Sequence, residues 1–334
     1  AAWWSLGAKK AAFFGDFLCS RKESYPRPGE GQCQQTDAKT GSPWKRRQAE
    51  AITRRTPASA RGNKPTTDLK KTMPQPEPKL ATYPSLSGKT ILITGGATGI
   101  GEGFVEHFFA QGAKVAFFDI NTEAGEALAD RLGAALQPHQ TRPTFLNVDL
   151  TDIDALRKGI ADVRSTLGPI GVLVNNAAND KRHAIEDVTP ESYDAGIAVN
   201  IRHQFFAAQA VIDDMKQLGG GSIINLGSVS WMLKQGNFPV YTTAKSAVQG
   251  MTRGLARDLG KFGIRVNTLV PGWVMTEKQK RLWLDDAGRE AIKQGQCIGG
   301  ELLPEHLARA ALFLASDDSA MVTAQDIVVD GGWA

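Results

Sequence analysis

"TILITGGATGIGEGFVEHFFAQG", residues 90–112, sets a short β-branched run against a glycine-rich turn and then a helical pattern. Strand, glycine turn and helix in that order make a phosphate cradle. Gly95 lets the chain turn sharply, Gly99 lets a pyrophosphate approach closely, and Gly101 lets the helix pack on the sheet. The helix N-terminus beyond them offers free amides and the positive end of its dipole to an anion. Thr98 and Ile100 complete the loop. Glycines also serve plain turns, so the weight of the pattern comes from its place between a first strand and a first helix.

Outward from this stretch the same alternation repeats. Further strand candidates are 114–119, 144–149, 171–176, 222–227, 265–270 and 326–330, with segments of helical period between them. Near-continuous apolar strands separated by helices indicate a parallel sheet covered on both faces. The expected fold is therefore α/β, a single doubly wound Rossmann domain with a seven-stranded parallel sheet over residues 83–334. The second strand ends at Asp119, 24 residues after Gly95, near the spacing at which an acid meets the adenosine ribose. A carboxylate there accepts hydrogen bonds from the 2′-hydroxyl and repels a 2′-phosphate. Thr98, Ile120 and Asn121 supply no basic group, so NAD is favoured over NADP.

The chain has 334 residues and a net charge of +4. Residues 1–72 hold 15 Lys+Arg against 6 Asp+Glu, and the remainder 24 against 29, so the first part is basic and the rest acidic. That first part lacks a sustained period and is rich in Pro, Thr and Gln; a disordered tail is expected over residues 1–82. Met73 is the first methionine, and the expectation is that the natural start lies there, with a transit peptide or a nucleic-acid arm as alternatives. Three cysteines, Cys19, Cys33 and Cys297, have no metal or redox spacing, and the five histidines do not cluster. No metal site is expected. No apolar run approaches the ~20 residues needed to cross a bilayer. A soluble, cytoplasmic protein is the expectation.

"PVYTTAKSAV", residues 239–248, places Tyr241 and Lys245 four apart on a helix, on one face. A phenol is too weakly acidic to serve as a base at neutral pH, and a neighbouring ammonium favours the phenolate. Tyr241 reads as a general base tuned by Lys245. A tyrosine and a lysine at this spacing also occur in helices where one packs and the other is solvated. Ser228 at the end of a strand can hold a substrate oxygen beside the tyrosine, and Asn200 sits inside a helical stretch, where asparagine needs a task.

Together these residues resemble the short-chain dehydrogenases/reductases from Ser87 to Ala334. The matching motifs are TGxxxGxG at Thr94 to Gly101, the acid Asp119, an aspartate at Asp149, and an Asn-Ser-Tyr-Lys tetrad at Asn200, Ser228, Tyr241 and Lys245. The resemblance implies adenine contacts from Asp149, an adenosine side lined by Leu150 and Asn176, and nicotinamide contacts from Val274 and Thr276 in "PGWVMT". It also implies that Lys245 holds ribose hydroxyls and that the protein is a homodimer or homotetramer. One departure is "NNAA", where Ala178 replaces the family's glycine and brings a Cβ near the cofactor.

"NNAANDKRH", residues 175–183, is a polar loop suited to a substrate with several hydroxyls, although loops are polar in any case. Asn179 is the substrate candidate there, and Trp231 and Trp273 can stack on a sugar face or fill a lid. At finer grain the chain is similar to bacterial aldose 1-dehydrogenases of the D-xylose type, through "YPSLSGK", "NNAANDKRH", "SVSW", "PGWVMTEKQ" and the "DGGW" ending. That resemblance implies oxidation of a sugar at its anomeric carbon to an aldonolactone, with Asn200 and Lys245 anchoring a water chain. The alternatives are another short-chain alcohol dehydrogenase, a 3-oxoacyl or carbonyl reductase, and a regulator that senses NAD without catalysis.

Overall fold

The computed structural model describes residues 80–138 and 140–334. The expected tail as far as residue 79, with Met73, Cys19 and Cys33, lies outside the described residues. Seven strands form one parallel sheet: β1 (Thr90–Thr94), β2 (Lys114–Asp119), β3 (Thr144–Asn147), β4 (Ile170–Asn175), β5 (Gly221–Leu226), β6 (Ile264–Pro271) and β7 (Asp326–Val329). Their order is β3-β2-β1-β4-β5-β6-β7. The order reverses between β1 and β4, which opens a crevice at the carboxyl ends of those strands. The strand expected over 144–149 stops at Asn147 because β2, its one neighbour among the described residues, ends at the paired Asp119.

The helices are α1 (Gly99–Ala110), α2 (Thr122–Gly133), α3 (Ile153–Leu167), α4 (Pro190–Ile197), α5 (His203–Gln217), α6 (Pro239–Leu259), α7 (Glu277–Leu282), α8 (Asp286–Gly295) and α9 (Pro304–Ala315). Their starts follow local chemistry. Asn121, Asp152, Thr276 and Asp285 each accept a first-turn amide with their side chains, and Pro190, Pro239 and Pro304 open the next helices.

Successive residues of each strand enter opposite layers. Ile91, Ile93 and Phe117 pack with Phe104 and Phe108 of α1, Leu128 of α2 and Leu307 of α9. Leu92, Phe118 and Leu173 pack with Ile160 of α3, Val211 of α5 and Leu259 of α6. Both faces are thus covered, which explains the near-continuous apolar strands.

A polar row crosses this apolar sheet at its carboxyl end. Thr94, Asn175, Asn225 and Thr268 stand in register on β1, β4, β5 and β6, and all are fully buried. Burying such groups is costly unless they are hydrogen-bonded. Asn175 Nδ2 donates to Asn225 Oδ1 at 2.9 Å, Asn225 Nδ2 to Thr252 Oγ1 at 3.0 Å, and Thr268 Oγ1 to the same oxygen at 3.0 Å. Thr252 belongs to α6, so the row sets the rotation of the helix that carries Tyr241 and Lys245. No helix among the described residues is long and apolar enough to cross a membrane.

Candidate active site

The glycine loop is shaped by close approach. Gly95 and Gly99 have φ of +65° and +63°, in the left-handed region. At Gly101 a Cβ would stand 1.8 Å from the Gly95 carbonyl oxygen, so no larger residue fits without moving the loop. Asn176 Nδ2 donates to the carbonyls of Thr94 and Gly95 at 3.0 and 2.8 Å, while Thr94 Oγ1 accepts the amides of Asn176 and Ala177. The Asn176 side chain therefore braces the loop from β4. Thr98 precedes α1 and makes no capping bond with its side chain, and Ile100 lies in the first turn.

Asp119, half-buried, accepts the Ala97 amide on Oδ2 and the Asn121 amide on Oδ1, both at 3.0 Å. A carboxylate has about four acceptor positions, so two backbone bonds leave room for ribose hydroxyls. Asp149 is exposed and binds Thr151 through Oδ1, and Leu150 is buried beside it. Thr276 closes the other side: its Cγ2 would lie 3.2 Å from a Cβ on Gly99, and Val274 bridges to Leu302. A cradle that no Cβ can fill, a helix start without a side-chain cap and an acid with spare lone pairs fit a dinucleotide.

Tyr241 lies in the first turn of α6, and Lys245 follows one turn later on the same side. Lys245 is 1% exposed; its Nζ donates to the Leu226 carbonyl at 2.7 Å and stands 5.7 Å from the Tyr241 ring centroid. Ser228 Oγ accepts the Ser230 amide at 3.2 Å, which leaves its own proton to donate. Asn200 sits in a π-helical turn, Ala198–Arg202, between α4 and α5. Its Nδ2 donates to the carbonyls of Asn179 and Gly196 and its Oδ1 accepts the Asn179 amide at 2.8 Å. The task that an asparagine needs inside a helix is thus a two-point clamp on the loop after β4, made where the helix widens.

Burial first, and the charge of Asp180 second, push the Tyr241 phenol up to about 12, against a lowering hydrogen bond from Ser228 and the charge of Arg182. Burial pushes Lys245 down to about 7, opposed by Asp180. The ammonium is tied to a backbone carbonyl below the ring, and the charges that act on the phenol come from the loop after β4. His203, fully buried, is held down to about 3 by burial and by Lys245, and is neutral.

Ser228 and Tyr241 face a cavity of about 400 Å³ that Asp180, Arg182, Trp273 and Trp333 also line. A second cavity of about 450 Å³ reaches Tyr241 from the side of Asn179, His183 and Asn200. A lid built from α7 and α8 is latched over the first. Asp180 accepts Lys278 Nζ at 2.6 Å and Gln279 Nε2 at 2.9 Å, and Gln279 Oε1 accepts Trp273 Nε1 at 3.0 Å. Burial raises the Asp180 carboxyl, but Lys278 and Gln279 outweigh it and hold the group below its ordinary value.

The structure does not gather every substrate candidate. Trp231 lines neither cavity and its Nε1 is buried without a partner among the described residues; Asn179 lines only the second. Trp273 lines the first and stacks with Trp333, the centroids 6.4 Å apart. Asp180 and Arg182, in the polar loop read as suited to a hydroxylated substrate, line the first cavity; Phe238 and Gln279 were missed by the sequence reading as cavity residues, and so was Trp333. Its signal was the glycine pair before it: Gly331 and Gly332 have φ of +73° and +82° and turn the chain so that the indole meets the lid at Gly295. Ala178 is exposed and is not among the residues with positive φ, so its alanine carries no left-handed strain.

A family model described as enoyl-(acyl carrier protein) reductase matches residues 95–334. A protein of Rhizobium meliloti named "Probable galactose dehydrogenase" is 44% identical over 75% of this chain and 96% of its own length. The D-xylose 1-dehydrogenase of Caulobacter vibrioides is 44% identical over 76% of this chain and 98% of its own. Among solved structures, a blue fluorescent protein from a metagenomic library in complex with NADPH superposes with a TM-score of 0.68 at 32% identity, covering 75% of this chain and 99% of that one.

Proposed function

The chain belongs to the short-chain dehydrogenase/reductase family, oxidoreductases of CH–OH groups, and on that premise we propose that it oxidises an aldose at the anomeric carbon with NAD, releasing an aldonolactone. The observation that carries this reading is the shared cavity. Ser228 and Tyr241 face a space whose other walls are an aromatic face, Trp273 with Trp333, and the charged pair Asp180 and Arg182. A sugar offers a flat apolar face to the tryptophans and hydroxyls to the polar side of the cavity, whereas an acyl chain offers that side no hydrogen-bonding group. The galactose and D-xylose dehydrogenases named above support a sugar.

Bound at the glycine loop, a nicotinamide dinucleotide supplies the hydride acceptor. Gly95, Thr98, Gly99, Ile100 and Gly101 hold its pyrophosphate, Asp119 its adenosine ribose, Asp149 and Leu150 its adenine, with Asn176 bracing the loop. Val274 and Thr276 face its carboxamide, and Lys245 its second ribose. Ser228 donates to the substrate oxygen, and Tyr241 takes the anomeric hydroxyl proton. The positive end of α6 and the guanidinium of Arg182 favour the phenolate that this step needs. Asn200 fixes the wall of the second cavity, through which the proton leaves by water.

Purified protein with a panel of aldoses is expected to form NADH, with kcat/KM for NAD⁺ on the order of 100-fold above that for NADP⁺ through Asp119. Turnover only with NADP⁺ contradicts the role of Asp119; turnover only of acyl ketones contradicts the sugar.

A further inference from the structure

We propose that Arg182 is a positioning residue for Tyr241, the centre of a stacked column that runs from the lid to the phenol through Trp283, Arg182, Phe238 and Tyr241. The guanidinium carbon stands 3.7 Å from the Phe238 ring centroid and 5.2 Å from that of Trp283. Phe238 in turn stacks on Tyr241, with centroids 5.3 Å apart and planes 25° apart. Phe238 is buried and immediately precedes Pro239, which opens α6, so the helix start fixes the backbone from which the ring projects.

Two further facts separate Arg182 from a surface cation. Its Nε is buried with no hydrogen-bond partner among the described residues. Asp180, two positions earlier, gives both carboxylate oxygens to Lys278 and Gln279. A guanidinium stays charged in a protein and prefers to lie flat on rings. Here it brings that charge, with no ion pair within 4 Å among the described residues, to the side of the phenol.

The groups that face Tyr241 come from several elements. Arg182 and Asp180 lie in the loop after β4, Lys245 on α6, neutral His203 on α5 and Ser228 after β5; Lys181, His183 and Asp187 line the second cavity. Removing Arg182 takes away the one positive charge among the described residues that opposes Asp180 at the phenol and leaves the hydrogen bond from Ser228. Trp283 closes α7, so the column also ties the lid to the base.

This inference rests on Tyr241 being the base. Its test uses Arg182→Met, Arg182→Lys and Phe238→Leu, with two readouts: the pH profile of kcat at saturating NAD⁺ and aldose, and the ¹³Cζ resonance of Tyr241 titrated in the NAD⁺ complex without sugar. The chain has four tyrosines, so loss of a signal in Tyr241→Phe assigns the resonance. In Arg182→Met both midpoints are expected to rise by about one pH unit, the order of effect of a nearby unit charge, with about tenfold slower turnover on the rising limb. Arg182→Lys recovers at least half of that shift, and Phe238→Leu, which keeps the charge, lowers kcat by about fivefold at every pH through lost orientation. An unmoved midpoint with a raised sugar KM makes Arg182 a substrate contact and overturns the proposal, as do Lys and Met variants that behave alike. Activity that survives in Tyr241→Phe instead refutes the base itself, a different failure.

Discussion

On the β1–α1 side of the cleft, the polar groups close on one another. Thr94, Asn176 and Asp119 each bind backbone of the glycine loop or its flanks, and none of them leaves a buried atom without a partner. On the lid side, Arg182 Nε, His183 Nε2 and Ser230 Oγ are buried with no partner among the described residues. A closed network is rigid before any ligand arrives, whereas unsatisfied groups cost about 1–3 kcal/mol each until something pairs with them. The first region is built to hold one invariant molecule in one pose. The second holds its charges in reserve, and its chemistry depends on what completes it.

That contrast is broken most severely by changing one atom on the lid side. Tyr241→Phe keeps the ring that stacks on Phe238 and loses the hydroxyl; kcat is expected to fall on the order of 10³-fold while NADH affinity, by fluorescence, stays within about twofold. A comparable loss of NADH binding contradicts the separation of the two regions. Gly101→Ala tests the opposite side. The added Cβ meets the Gly95 carbonyl, so NADH affinity drops by about 10- to 100-fold and the melting temperature falls, as for overpacking of a closed site. Unchanged NADH binding there shows the loop to be pliant.

A smaller effect comes from the lysine beneath the tyrosine. Lys245 has a folded value of about 7 against an ordinary 10.5, so between those values the unfolded chain binds the extra proton. Stability of protein without added nucleotide therefore rises with pH through this window, by at most about 1.4 kcal/mol per unit. The rise ends near pH 10, where Tyr241, raised to about 12, holds its proton in the folded state and loses it in the unfolded one. Thermal melts from pH 6 to 11 check this, and Lys245→Met flattens the rising part; a wild-type curve flat from pH 7 to 10 places the ammonium in contact with water.

The two regions also differ in how far they were legible. All seven strands, the glycine loop and Asp119 follow from local pattern, because a parallel sheet requires apolar runs and a phosphate turn requires glycine at particular positions. Tyr241 and Lys245 were visible through their spacing on one helix. The lid-side cavity was legible only in part: Ser228, Trp273 and the polar loop with Asp180 were read as facing the substrate, whereas Gln279 and Trp333 join them from segments far apart in the chain. Trp231 shows the converse: Ser228, three residues before it, faces the cavity, while Trp231 lines neither cavity. The acidity of Tyr241 is not legible from spacing alone. Sequence spacing puts an ammonium near the ring, but burial and the bond to Leu226 decide what that ammonium does.

The central claim is that Tyr241 deprotonates the anomeric hydroxyl as hydride leaves the carbon that bears it. D-xylose and D-galactose carrying deuterium only at C1, turned over with NAD⁺, are expected to give singly deuterated NADH and a slowed rate of single turnover. Unlabelled NADH from either sugar, formed at the rate of the ordinary sugar, places the oxidation at another carbon and contradicts the account.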